Sequence, residues 1–120
     1  MARDRWHILK EDGALTLARQ LPARFDLSVS TVIPGGAGLH KERLARQVRQ
    51  DMWRALQTLR GFAPVVRVSE VGADIEITAG GAIAGPYPKE DATTRLRGVL
   101  DNPNHRARWT RHSQIKRREP

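Results

Sequence analysis

The segment 39–60 constrains the fold more than any other part of the chain. On a helical wheel of about 100° per residue, Leu44, Val48, Met52, Ala55 and Leu59 fall within an arc of about 80°, and Ala45 and Leu56 widen it. Gly61 follows, where a C-terminal glycine cap belongs. A helix with one apolar stripe must bury it against another layer. The neighbouring sequence supplies that layer. In residues 25–33, Phe25, Leu27, Val29, Thr31 and Ile33 alternate with Asp26, Ser28, Ser30 and Val32, the pattern of a half-buried strand. Residues 62–70 and 73–79 read as two more strands, joined so tightly at Val71-Gly72 that they must form an antiparallel hairpin.

The rest of the chain is read around this frame. Residues 5–10 are an edge strand or a loop. Asp12 to Leu21 reads as a short helix, with Asp12 as N-cap, Ala14, Leu17, Ala18 and Leu21 on one face, and Pro22 as its stop. The glycine- and proline-rich run 80–88 is a loop. Ala92, Leu96, Val99 and Leu100 mark a helix over 90–100, and Asn102-Pro103 restarts a last one that runs to about His112. The expectation is an α+β fold in the order α-β-α-β-β-α-α. Its three-stranded, mostly antiparallel sheet is covered by helices on one face. Residues 1–112 form one domain, and 113–120 form a basic, disordered tail. At 120 residues and 39% hydrophobic composition, one modest core is the limit.

Charge is the second informative feature. The net charge is +8. Residues 41–60 and 101–120 each carry six cations and two anions, and the other eighty residues sum to zero. Each basic segment holds one tryptophan, Trp53 or Trp109. The 17 arginines against 4 lysines reflect a GC-rich coding bias as readily as guanidinium chemistry, so position carries more weight than number. Arg46, Arg49, Trp53, Gln57 and Arg60 step by three or four residues and make one ridge on the long helix, with Arg54 beside it. The second segment offers few core residues, namely Ala107, Trp109 and Ile115. It implies a helix that docks loosely or orders on a partner.

Catalytic patterns are missing. There is no cysteine, which removes thiolate metal sites and thiol nucleophiles and fits a reducing compartment. His7, His40, His105 and His112 have no zinc-ligand spacing. The loop Pro34-Gly-Gly-Ala-Gly38 matches neither the phosphate-loop nor the dinucleotide pattern. The open sheet face, with Asp26, Ser28, Ser30, Arg67, Ser69, Asp74, Glu76 and Thr78, lacks the aromatic platform of an RNA-recognition-motif sheet. No run approaches the ~20 apolar residues of a membrane span.

The expected protein is therefore a cytoplasmic, non-enzymatic accessory protein without a cofactor or bound metal. It binds nucleic acid, RNA ahead of DNA, by electrostatics. Arg46, Arg49, Arg54, Arg60, Arg106, Arg108 and Arg111 contact phosphates, while Trp53 and Trp109 stack or wedge. The alternative is a protein-interaction subunit that docks on an acidic protein surface. Oligomeric state is left open.

Overall fold

Residues 12–21 are where the architecture departs furthest from the sequence pattern. The computed structural model describes residues 6–115. Asp12-Gly13 makes a hairpin turn, with Gly13 at a φ of 73°. The turn joins β1 (His7–Glu11) to β2 (Ala14–Ala18), so the expected helix at 12–21 is a strand. The run Ala-Leu-Thr-Leu-Ala suits either state. As a strand it bonds along both edges, to β1 and to β4 (Phe62–Val71), and every one of its side chains is buried. A local helix would leave those hydrogen bonds unmade and bury only one face.

The remaining elements are β3 (Leu27–Ile33), α1 (Lys41–Leu56), β5 (Asp74–Ile83), α2 (Lys89–Asp101) and α3 (Pro103–His112). The sheet has five strands, not three, in the order β1-β2-β4-β5-β3, and every neighbouring pair is antiparallel. The three expected strands are β3, β4 and β5; the β1–β2 hairpin extends them past β4. One row of the register, Ile8, Leu17, Val66, Ala79 and Val29, crosses all five strands beneath the helices. β5 also runs further than its sequence suggests, through Gly80-Gly81 to Ile83. That glycine pair is a close approach of backbones: a Cβ on Gly80 would lie 1.8 Å from the Leu27 carbonyl oxygen.

α1 lies over β4 and β2, and α2 lies beside it over β3. Leu44, Ala45, Val48, Met52 and Leu56 are buried, as the helical wheel requires. With Leu96, Leu100, Ile75 and Ile77 they close the core. Each such large side chain contributes about 1.5–3 kcal/mol of burial free energy. α1 ends at Leu56, short of the expected residue 60. The chain there tightens into a turn, with Leu59 N–H donating to Leu56 O, and Gly61 swings it into β4 at a φ of 69°. α3 starts as its sequence predicts: the Asn102 side chain accepts from the N–H groups of Asn104 and His105 at 2.8 and 3.3 Å, with Pro103 in the first turn.

The opposite sheet face carries the polar row Thr16, Arg67, Thr78 and Ser30. Ser30 and Thr78 share a hydrogen bond of 2.9 Å, and Arg67 reaches Thr16 and Glu11. None of the strand residues on that face is aromatic. Among the described residues, no helix is long and apolar enough to cross a membrane.

Candidate functional site

Asp51 and Trp53 sit two residues apart on α1 and therefore project about 200° apart. This separation gives the helix two unlike flanks. The Asp51 flank faces α3, and the Trp53 flank faces the β1 end of the sheet.

On the Asp51 flank the second basic segment is used internally. Asp51 is only 6% exposed. Its Oδ2 accepts from Trp109 Nε1 at 2.7 Å and from the Arg108 guanidinium. Trp109 is fully buried and stacks obliquely on His105, with ring centroids 5.9 Å apart. It offers no free face to a ligand, which corrects the expectation that it stacks or wedges. The expected loose docking is corrected too. One large indole, anchored at its polar end by a buried carboxylate, supplies what Ala107 and Ile115, both exposed, do not. The tuck continues past α3: buried Ser113 accepts from His40 N–H at 2.7 Å. The basic stretch 116–120 lies outside the described residues.

Arg106 is likewise occupied. It donates to Thr31 Oγ1 at 2.6 Å, to Leu100 O at 3.2 Å and to Val32 O. Arg97 donates to Ser30 O at 3.0 Å. Two arginines from α3 and α2 therefore cap outward carbonyls of β3, an edge strand of the sheet. Covering an edge in this way blocks pairing with another chain. Of the second segment's site candidates, only Arg111 is exposed without a partner among the described residues.

The Trp53 flank is different. Trp53 is 47% exposed. Together with Arg49, one turn earlier, it lines a cleft of about 370 Å³ whose other walls are Trp6, Arg19, Phe62 and Pro64. The β1–β2–β4 register builds those walls. Trp6 precedes β1, Arg19 follows β2, and Arg19 N–H donates to Pro64 O at 3.0 Å. The Arg49 guanidinium carbon lies 4.6 Å from the centre of the Trp6 ring, a cation–π contact. Arg49 Nε is buried without an acceptor among the described residues. Its burial, and next the like charge of Arg46, pull the guanidinium pKa below its ordinary value. Among the described residues, no carboxylate lines the cleft.

The ridge is shorter than its sequence spacing implies. Arg46 pairs with Glu42 at 3.1 Å. Arg54 is exposed and unpaired among the described residues. Arg60 lies beyond the end of α1, beside Tyr87 and Arg95 in a second cleft. Trp53, Arg49 and Arg46 are brought together as expected. Trp6, Arg19 and Phe62 join them unforeseen. Among the described residues, no group of three or more His, Asp or Glu gathers where a metal ion would sit.

Compared with protein-family models, with curated proteins and with solved structures, the chain matches none.

Proposed function

We propose that the protein binds nucleic acid, RNA ahead of DNA, through the Trp53 flank of α1, with Arg46, Arg49 and Arg54 meeting phosphates there and Arg60 meeting one from beyond the helix end. The observation that carries this reading is Trp53 itself. A large indole stands half in water among arginines, beside Arg49, whose buried Nε lacks an acceptor among the described residues. Exposed aromatic faces among arginines suit bases and phosphates together. RNA is favoured because its unpaired bases are splayed out and open to stacking. The second basic segment drops to a supporting role, since Arg106, Arg108 and Trp109 hold the fold together.

Salt dependence tests this. Four neutralised phosphates on a single strand give a log–log slope of about −3, roughly a fifty-fold loss of affinity between about 50 and 200 mM salt. Fluorescence anisotropy with a labelled, unstructured RNA measures that slope. Replacing Arg46 and Arg54 by Ala should flatten it by about one unit or more. A flat response in the unaltered protein, or an unchanged slope in the double variant, refutes the proposal.

A further inference from the structure

The cleft beside Trp53 supports a narrower statement, which rests on the reading of this flank as a nucleic-acid surface. We infer that it takes one unstacked nucleotide, so that the protein selects single strands over duplexes. The base lies on the exposed indole of Trp53. The phosphate pairs with Arg49, and the Trp6 ring gives up its place over the guanidinium.

Three observations converge. The first is size and lining. About 370 Å³ accommodates one nucleotide, and three of the chain's six Phe, Trp and Tyr side chains meet there: Trp6, Trp53 and Phe62. A duplex keeps its bases stacked inside and cannot present one to such a cleft without flipping it out. The second is the charge of the walls. The Arg49 guanidinium lines the cleft and makes no ion pair among the described residues, so an anion is favoured there over a cation.

The third is the state of Arg49. A desolvated guanidinium needs an acceptor for each buried N–H, and Nε has none among the described residues. Glu42, the carboxylate nearest in sequence on this flank, is engaged with Arg46. The Trp6 ring compensates through its π face but supplies no acceptor in the guanidinium plane. A phosphate provides two oxygens at the spacing of a guanidinium edge. It thus supplies the acceptor that Arg49 Nε lacks among the described residues.

The test compares an unstructured RNA oligonucleotide with an RNA duplex of equal length, by anisotropy, for the unaltered protein and for W53A, W53F and R49K. W53A should lose about tenfold to a hundredfold in affinity for the single strand, the loss of one stacked base. Its salt slope and duplex affinity should stay as they were. W53F, which keeps a ring, should recover most of the loss. R49K, which keeps the charge but lacks the planar edge, should weaken the single strand severalfold. Far-ultraviolet circular dichroism and the urea unfolding midpoint verify that each variant is folded. If W53A binds the single strand as tightly as the unaltered protein, or weakens single strand and duplex equally, the inference falls. If at the same time the Arg46 and Arg54 double variant flattens the salt slope, the broader proposal stands without it. If the unaltered protein binds neither RNA, both fall.

Discussion

Replacing Asp51 by Ala probes the joint that holds α3 on the domain. In the native protein one carboxylate oxygen accepts from the Trp109 indole and from Arg108. The two partners respond differently to its loss. Trp109 is fully buried, so its Nε1–H remains without an acceptor, at a cost of about 1–3 kcal/mol. The Arg108 side chain is 34% exposed and can turn to water, so its ion pair counts for no more than about 1 kcal/mol. Removing a buried carboxylate also relieves its own desolvation, which offsets part of the loss. The expected net destabilisation is about 2 kcal/mol, or a fall in Tm of roughly 8 °C for a domain of this size. Urea denaturation followed by far-ultraviolet circular dichroism and tryptophan fluorescence measures it. Asp51→Asn retains an oxygen for the indole and should recover at least half of the stability. A loss below about 0.5 kcal/mol in Asp51→Ala would refute the anchoring role. An Asn variant as weak as the Ala variant would show that the Arg108 charge pair, not the indole hydrogen bond, dominates.

Arg106→Ala should cost about 1–3 kcal/mol, because three acceptors on β3 and α2 lose their donor, and it should promote self-association along the uncovered edge; light scattering during denaturant titration reports both. Asp26 accepts from Ile83 N–H at 2.8 Å, and this bond, followed by the Arg24 pair, holds its carboxyl below the ordinary 3.8. The stabilisation from a depressed carboxyl is present above the unfolded-state value and is lost as pH falls through the folded one. Asp26→Asn should therefore make the stability curve shallower only below about pH 4, as read by urea midpoints across pH; an equal change at pH 7 and pH 3 would contradict the assignment.

The parts of the fold that were legible are those where one period dominates. α1 declares its buried stripe, β3 its alternation, and Asn102-Pro103 its helix start; each is a local pattern that the tertiary structure had no reason to override. The β1–β2 hairpin failed for a physical reason. Leu15 and Leu17 alternate, but Ala14, Leu17, Ala18 and Leu21 also fit one helical face, and pairing with β4, some fifty residues away, decides the matter. The Asp12-Gly13 dipeptide was the available signal. A turn there pairs His7 with Ala18, and one further step brings Trp6 level with Arg19. Much of the missed cleft was thus within reach of register arithmetic. The fate of the second arginine segment was not. Whether Arg106 and Arg108 face water or protein depends on Asp51 and on the edge of β3, which nothing near them in the chain encodes.

In the proposed function the two tryptophans of the basic segments have opposite roles, one for contact and one for structure. The chain's three indole N–H groups give three signals in a ¹⁵N–¹H correlation spectrum, assignable with single Trp→Phe variants. Titration with an unstructured RNA oligonucleotide should shift or broaden the Trp53 and Trp6 signals and leave Trp109, bonded to Asp51, in place. Movement of Trp109 with Trp53 and Trp6 unchanged would overturn this division of roles.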